Sequence, residues 1–299
     1  MKPTDSISIA ANRTKVQDIS ELFKLRLASL VVFSSILGYL IGAEEFSWLT
    51  VLLLSLGGFL LTGASNALNQ VWERNNDRLM KRTMNRPLPT GRMSVTEAIV
   101  YAVIAGVGGI AILWVGLNPL SGILGLLALF SYVFLYTPLK QKSALAVFVG
   151  AFPGAIPPML GYIAATGTFG VEPGALFAMQ FMWQFPHFWA IAWVANEDYE
   201  RAGYRLLPLR EGKTKRTAFQ IFMYTLFLIP VSMLPWVFPQ SAPMIGNISG
   251  ILTIVCGIIF AWYAWKLYQR CDDQSARALM FASFAYLPVV QILYVLGTL

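Results

Sequence analysis

Charged residues are scarce in this chain. Lysine, arginine, aspartate and glutamate make up 12% of its 299 residues, whereas 57% of the residues are hydrophobic. Soluble globular domains carry about 25% charged residues, so the composition excludes an ordinary soluble protein. We therefore expect lipid to surround most of the folded chain.

Cysteine and histidine are scarcer still. Cys256 and Cys271 have no C-x-x-C or other metal-binding spacing, and we expect both to be reduced and structural. His187 is the only histidine, which excludes a metal site built from paired histidines. The sequence also lacks a Walker-type phosphate loop and a G-x-S-x-G motif, so neither ATP-driven hydrolysis nor serine acyl transfer is expected.

Long apolar runs fill the rest of the sequence. Nine windows of roughly 20 residues are almost free of charge, at 27–43, 47–68, 95–116, 120–137, 144–165, 174–195, 217–238, 247–266 and 277–297. They predict an all-α membrane protein with nine transmembrane helices. A cytoplasmic N-terminal segment, residues 1–26, is expected to precede a single transmembrane domain, residues 27–299.

The basic residues alternate between loops. All 22 lysines and arginines lie in the N-terminal segment, in the loops after every second window, or at their edges, and the loops between them have none. Because lysine and arginine accumulate on the cytoplasmic side, the N-terminus is predicted inside and the C-terminus outside. The polar first 26 residues resemble neither a signal nor a transit peptide, so a bacterial cytoplasmic membrane is expected. The net charge of +7 then needs no nucleic acid, since membrane lipid and an anionic substrate account for it.

The loop after the second window combines oxygen ligands with positive charge. Asn69, Glu73 and Asp77 are four residues apart, and steps of four advance about 40° around a helix, so the three share one face. Mg²⁺ is usually held by one or two carboxylates together with the phosphates of a substrate. Basic residues that could bind such phosphates follow at once: Arg78, Lys81, Arg82, Arg86 and Arg92. The pattern predicts a metal-diphosphate site at the membrane surface; a charged loop that only orients the protein is the alternative.

Two further loops could complete this site. The loop after the sixth window repeats the order of acidic and then basic residues, with Asn196, Glu197, Asp198 and Glu200 before Arg201 and Arg205. This suggests a diphosphate held from both sides through metal ions. In the fourth loop, Lys140 could reach a phosphate at the same membrane face. Each loop considered alone is equally well explained by charges that pair locally or set the topology.

His187 lies in the middle of the sixth window, within MQFMWQFPHFWAIAW. An ionisable residue at membrane depth is a functional candidate, because its burial in lipid is costly. It could ligate a haem iron, transfer a proton or hydrogen-bond a neighbouring helix. Its aromatic neighbours are compatible with a flat aromatic acceptor, although aromatic residues are also ordinary packing in lipid.

The run N-x-x-x-E-x-x-x-D at Asn69, Glu73 and Asp77, continued by MKRTMNRPLPTGR, closely resembles the first aspartate-rich motif of the UbiA-type intramembrane prenyltransferases. Three segments are similar to the protohaem-farnesylating branch of that superfamily: RTMNRPLPTG, YTPLKQKSALAVFVGAFPGAIPPMLGY and WQFPHFWAIAWVANEDYERAGYRLLP. The resemblance runs from about residue 60 to residue 210. Glu73 stands where the superfamily has aspartate, and Val194 interrupts the second acidic motif.

This resemblance implies a helical bundle around a central cavity, with the loops after helices 2 and 6 closing over a prenyl diphosphate. It implies farnesyl diphosphate as donor, haem B as acceptor and Mg²⁺ as cofactor. The residues that would act are Asn69, Glu73, Asp77 and Asp198 on the metal, with Glu197 beside the second site; Arg78, Lys81, Arg82, Arg86 and Lys140 on the diphosphate; and His187, Trp183 and Gln184 on the acceptor. A haem A-forming enzyme and terminal oxidase assembly factors are candidate partners.

Two other functions stay open from the residues. One is a related prenyltransferase whose acceptor is a quinone or a chlorophyll precursor. The other is a transporter, because glycine and proline interrupt several helices and a midplane site would need such breaks. Against transport, the ionisable residues gather at one membrane face, with His187 as the exception.

Overall fold

The computed structural model describes residues 13–237 and 243–298, and every regular element in these residues is a helix. Three helices are short: α1 (Lys15–Phe23) precedes the first long helix, and α4 (Pro87–Thr90) and α9 (Asn196–Arg201) lie in loops. Nine long helices account for most of the described residues: α2 (Leu25–Gly42), α3 (Trp48–Asp77), α5 (Val95–Leu117), α6 (Pro119–Leu139), α7 (Ala146–Thr166), α8 (Val171–Val194), α10 (Lys215–Val237), α11 (Asn247–Arg270) and α12 (Asp273–Thr298). Residues 1–12 of the predicted N-terminal segment and part of the predicted seventh loop lie outside the described residues.

Each predicted apolar window coincides with one of these long helices, so the all-helical membrane architecture is confirmed. Eight of the nine are long and apolar enough to cross a membrane by length and composition. The exception is α8, which carries Gln180, Gln184 and His187, all of them buried against neighbouring helices. The number of crossings and the side on which each terminus lies stay predictions. The largest difference is at α3, which continues to Asp77 instead of ending near residue 68.

The long helices form two groups that meet at a shared seam. Within the first group, α2 packs against α3 and α7, and α3 packs against α5. Within the second, α8 packs against α10 and α12, and α11 packs between α10 and α12. The groups join because α7 also packs against α8 and α2 against α12. Many large apolar side chains remain on the outer surface, where they can face lipid.

The crossing of α2 and α7 depends on glycine at two points. A Cβ atom on Gly38 would lie 2.0 Å from the carbonyl oxygen of Pro158, and one on Gly161 would lie 1.8 Å from the carbonyl oxygen of Ser35. No side chain fits in either place, so the two backbones touch directly. Small residues at such crossings are how helices associate in lipid, where burial of apolar surface gives little driving force.

The loops after α3, α6, α8 and α11 all lie at one end of the bundle, together with α1. We call this end the basic face, because these loops and the helix ends beside them carry most of the lysines and arginines. The C-terminal end of α3, residues 69–77, also reaches it and brings Asn69, Glu73 and Asp77 to the loops.

We expect Gly161→Ala to lower the free energy of unfolding by about 1–3 kcal/mol, because the added methyl group would overlap the backbone of α2. Thermal unfolding of the purified protein in detergent measures this effect. Gly174→Ala is the matched control, since a Cβ atom there meets nothing within 4 Å. Equal melting temperatures for the two variants would contradict the direct backbone contact.

Candidate active site

The end of α3 buries three oxygen-bearing side chains on one face. Asn69, Glu73 and Asp77 are 2%, 2% and 0% exposed, so the face predicted from their spacing is turned into the protein. Asn69 donates through Nδ2 to the Thr137 hydroxyl oxygen, 3.1 Å away. Thr137 directly follows a π-helical turn of α6, and its hydroxyl group donates in turn to the carbonyl oxygen of Tyr132. This contact holds Asn69, the first of the three oxygen-bearing residues, against α6.

Each of the two carboxylates holds one cation. Lys140 Nζ donates to both oxygens of Glu73, at 3.0 and 3.2 Å. Arg86 Nη1 donates to Oδ2 of Asp77 at 2.8 Å. Although burial lowers the pKa of Lys140, Glu73 and the nearby tyrosines raise it well above its ordinary value. Lys140 therefore stays protonated, and two of the predicted phosphate-binding residues lie directly beside the predicted metal ligands.

Part of this cluster lacks partners. Asp77 Oδ1 is buried and accepts no hydrogen bond from the described residues, and the same holds for the hydroxyl group of the buried Tyr204. Leaving a carboxylate oxygen buried and unpaired is costly, which suits a site that takes up a cation. The described residues contain no group of three or more acidic, histidine or cysteine side chains that could hold a metal ion. Two carboxylates fit Mg²⁺, which takes its other ligands from water and phosphate.

The loops after α3 and α8 are bound to each other. Asp198 Oδ1 accepts a hydrogen bond from the backbone N–H of Lys81 at 3.3 Å and also pairs with Arg201. Arg82 Nη2 donates to the Tyr199 hydroxyl oxygen at 3.3 Å. These contacts bring the second acidic loop against the first, as the order of acidic and basic residues suggested. Glu197, in contrast, is exposed.

Several predicted phosphate-binding residues have other contacts. Arg78 donates through Nε to the carbonyl oxygen of Pro89, and Lys81 is exposed apart from its backbone contact. Arg92 donates to Asp18 at 2.9 Å and so ties α1 to this loop. The cations nearest to the carboxylates or to the second acidic loop are therefore Arg86, Lys140 and Arg82. Arg92 instead holds α1 against the loop after α3.

Lys24 is a further cation of the site, and the sequence did not single it out. It joins α1 to α2 with a positive φ of 49°, a conformation that side chains other than glycine rarely adopt. The joint is fixed to α3, because Asn66 and Gln70 donate to the carbonyl oxygens of Phe23 and Leu22. Both amides lie on the last part of α3, near the row of oxygen ligands. In sequence, Lys24 looks like any basic residue before an apolar run.

The charges around Lys24 show what it faces. Burial lowers the pKa of Lys24 to about 7, and the nearby cations Arg86 and Lys140 lower it as well, whereas Glu73 and Asp77 oppose the shift. The side chain forms no ion pair among the described residues. Below about pH 7 the cluster therefore holds three cations and two carboxylates, so one cation lacks a counter-ion. An anion such as diphosphate would supply it.

The predicted acceptor residues all take part in contacts between helices. Trp183 donates through Nε1 to the carbonyl oxygen of Ser283 on α12, at 2.9 Å. Gln184 donates through Nε2 to the carbonyl oxygen of Ala151 on α7, at 2.8 Å. His187 Nδ1 lies 2.7 Å from the hydroxyl oxygen of Ser283, and its ring stacks on Trp183. These are the helix-bridging contacts that the sequence left as the alternative to acceptor binding.

Comparison with known proteins identifies relatives over the length of the chain. The model of the UbiA prenyltransferase family matches residues 31–286. A protoheme IX farnesyltransferase from Cytophaga hutchinsonii is 48% identical over 284 residues, which are 95% of this chain and 98% of the relative. The protein of the same name from Christiangramia forsetii is 49% identical over 94% of this chain and 93% of the relative.

Solved structures share the fold. The structure described for a digeranylgeranylglyceryl phosphate synthase in membranes aligns with a TM-score of 0.78 and 18% identity, over 95% of this chain and 98% of the other. A UbiA homolog from Archaeoglobus fulgidus bound to GPP and Mg²⁺ aligns with a TM-score of 0.66 and 17% identity, over 93% and 99% of the two chains. At these identities the likeness establishes the fold.

We expect the affinity for inorganic diphosphate to fall more steeply with pH in the unaltered protein than in Lys24→Arg. The folded-state pKa of Lys24 is lowered to about 7, so its ammonium group loses its proton, and its attraction for an anion, as the pH rises through that value. Arginine stays charged throughout. Between pH 6 and pH 9 the ratio of the two affinities should change by about tenfold.

Isothermal titration with diphosphate across that range provides the measurement. Titration of diphosphate itself affects both proteins equally and cancels in the ratio. Parallel pH profiles would show that Lys24 does not contact the anion.

Proposed function

Because the chain belongs to the UbiA prenyltransferase family, we propose that it transfers the farnesyl group of farnesyl diphosphate to a vinyl group of haem B and so forms haem O. It is a multi-pass protein of the bacterial cell membrane. The observation that carries the proposal is the buried cluster of Glu73, Asp77, Arg86 and Lys140. This cluster suits a metal-bound diphosphate, and the relatives that match almost end to end are named for farnesyl transfer to protohaem IX.

Farnesyl diphosphate would bind with its diphosphate at the end of α3. Arg86 and Lys140 can exchange their carboxylate partners for diphosphate oxygens, because both partners are anionic acceptors. Lys24 adds a third positive charge, and Arg82 approaches from the same loop as Arg86. Arg78 and Lys81 would act more weakly, through the general positive charge of the loop.

Mg²⁺ is the proposed cofactor. Asn69, Glu73 and Asp77 would hold it from α3 and Asp198 from the loop after α8, with Glu197 exposed to water nearby. When bound, it would supply positive charge beside the leaving diphosphate. The unpartnered Oδ1 of Asp77 supports this assignment.

The chain's own cations stabilise the charge that develops in the reaction. As the bond between C1 and oxygen breaks, its electron pair leaves with the diphosphate, where Arg86, Lys140 and Lys24 are already positioned. Such fixed charges need no reorganisation at the moment of reaction. The apolar interior of the bundle would surround the farnesyl chain and exclude water that would otherwise react with its allylic carbon. A vinyl carbon of haem B then forms the new bond to C1, which leaves a positive charge on the other vinyl carbon. Water adds to that carbon and gives up a proton to the solvent or the leaving diphosphate, which leaves the hydroxyl group of haem O.

The two other functions make different predictions. A quinone or chlorophyll precursor as acceptor would leave haem B unchanged, and a transporter would release no diphosphate. Incubation of the purified protein with farnesyl diphosphate, haem B and Mg²⁺, followed by mass spectrometry of the extracted haem, separates them. We expect a haem whose mass has increased by a farnesyl group and a hydroxyl group. Release of diphosphate with haem B unchanged would overturn the assignment of haem B as the acceptor.

We expect Asp77→Asn to lower turnover by at least about 10²-fold, because an amide binds a cation more weakly and no longer pairs with Arg86. Glu73→Asp should keep a good part of the activity, since both acids offer carboxylate oxygens and differ by one methylene group. Haem O formation in membranes at increasing Mg²⁺ measures both variants. Full activity of Asp77→Asn at saturating Mg²⁺ would remove Asp77 from the metal site.

We expect His187→Ala to lower the melting temperature and to lower the affinity for both substrates, because His187 bonds to Ser283 and stacks on Trp183. Haem difference spectra and diphosphate titration of the same purified variant measure the two affinities. The role of His187, Trp183 and Gln184 in acceptor binding stays a prediction. Selective loss of haem binding in a variant of normal stability would assign His187 to the haem iron.

A further inference from the structure

A groove lies beside the proposed donor site, on the outer side of α8. Helices α7 and α10 both pack against α8 but make at most marginal contact with each other, so they leave a gap over one face of α8. The gap lies toward the basic face, where the loop after α9, residues 203–212, borders it. We call it the α7–α10 groove. Its volume is about 900 Å³, which is within the range of small-molecule sites.

The floor of the groove is aromatic. Phe185 and Trp189, one turn apart on α8, are 4% and 5% exposed and form its base. Tyr224 of α10 packs edge-on against Trp189, with ring centroids 4.8 Å apart. Phe148 of α7 lies on the opposite wall and is half exposed. Such walls favour a flat, apolar ligand that can stack on or between rings.

The rim of the groove is positively charged. Lys142, Arg205 and Arg210 line it, and the side chains of all three are without an ion pair or hydrogen bond in the described parts of the chain. The one acidic residue of the rim, Glu200, accepts a hydrogen bond from Asn196. Three cations and one carboxylate leave an excess of two positive charges. A ligand with two carboxylates at one edge would balance them.

Tyr204 separates the groove from the proposed diphosphate site. Its ring lines the groove and lies 5.0 Å from Lys140 Nζ, the cation that pairs with Glu73. The hydroxyl group of Tyr204 is buried and has no hydrogen-bond partner among the described residues. Trp189 Nε1 on the groove floor is likewise buried without a partner there. Tyr204 therefore borders both spaces, and the groove has two unsatisfied polar groups, one on Tyr204 and one on Trp189.

We propose that the α7–α10 groove binds the acceptor, as a planar apolar macrocycle whose two carboxylates pair with Lys142, Arg205 and Arg210. This inference rests on the proposed function, because haem B has that chemistry: a flat porphyrin with two propionates at one edge and vinyl groups on the opposite side. With the propionates at the rim, the vinyl-bearing edge points into the bundle beside Tyr204 and the donor site.

The groove lies on a different side of α8 from His187. Residues 185 and 189 lie one turn apart on the face toward α7 and α10, whereas His187 contacts α12. At about 100° per residue, His187 is roughly opposite both. A macrocycle in the groove would therefore leave His187 to its bond with Ser283, and the iron would take no ligand from it.

The test compares binding of protohaem IX and of its dimethyl ester, in which both carboxylates are blocked. The protein is the full chain in nanodiscs of phosphatidylcholine, and binding is followed by haem absorbance and quenching of tryptophan fluorescence. The variant is Arg205→Gln combined with Arg210→Gln, and both side chains are exposed, so folding should be unaffected. Arg277→Gln is the matched control, an exposed arginine at the same face but away from the groove.

We expect the double variant to bind protohaem IX on the order of tenfold more weakly for each ion pair lost. The dimethyl ester should bind the unaltered protein and the double variant alike, and inorganic diphosphate should bind all variants alike. Unchanged affinity of the double variant for protohaem IX would overturn the groove as the acceptor site, and so would equal binding of acid and ester by the unaltered protein.

Two further measurements distinguish a lipid site from a porphyrin site, and porphyrin binding from catalysis. An effect of the double variant that appears only with phosphatidylglycerol in the nanodiscs would assign the rim to a lipid headgroup and overturn the proposal. Failure of the unaltered protein to form haem O, with haem binding still dependent on the two arginines, would overturn the proposed function and leave the groove as a porphyrin site.

Discussion

Two buried ion pairs, Glu73 with Lys140 and Asp77 with Arg86, are the interactions on which this architecture depends. Burying a charge without a partner is far more costly than burying a pair, so each carboxylate of α3 requires a cation from one of the loops. Lys140 comes from the loop after α6 and Arg86 from the loop after α3. The pairs thereby bring the loops after α3 and α6 together over the end of α3, and they hold in place the cations that would bind the proposed diphosphate.

The membrane explains why the charges are concentrated there. In lipid, the helices associate through close backbone contacts such as those at Gly38 and Gly161, and few polar side chains are tolerated. Those that occur in α8, such as Gln184 and His187, bond to neighbouring helices. Charged groups are therefore left to the ends of the bundle, and most of them lie at the basic face, where water and loops can satisfy them. A reaction that separates charge next to an apolar chain needs this arrangement of a charged face above an apolar interior.

Two sets of cations on the basic face differ in their partners. Those beside α3 either have a carboxylate partner or, like Lys24, lie close enough to the two ion pairs to interact with their charges. Those at the rim of the α7–α10 groove have none among the described residues. Tyr204 lies between the two sets, so an anionic donor and an anionic acceptor could be held side by side, each with its own cations. This separation would limit the repulsion between the two negative substrates.

Local sequence patterns predict the helices and the first half of the candidate site. Apolar windows and alternating basic loops predict the long helices because lipid imposes length and composition on every crossing segment. The spacing of Asn69, Glu73 and Asp77 predicts a shared face because helical geometry is local. The pairing of Lys140 with Glu73, in contrast, joins residues 67 positions apart, and only the packing of α6 beside α3 decided it. The same holds for Lys24 and for the α7–α10 groove, since an unpaired cation or an uncovered helix face exists only once the surrounding helices have taken their places.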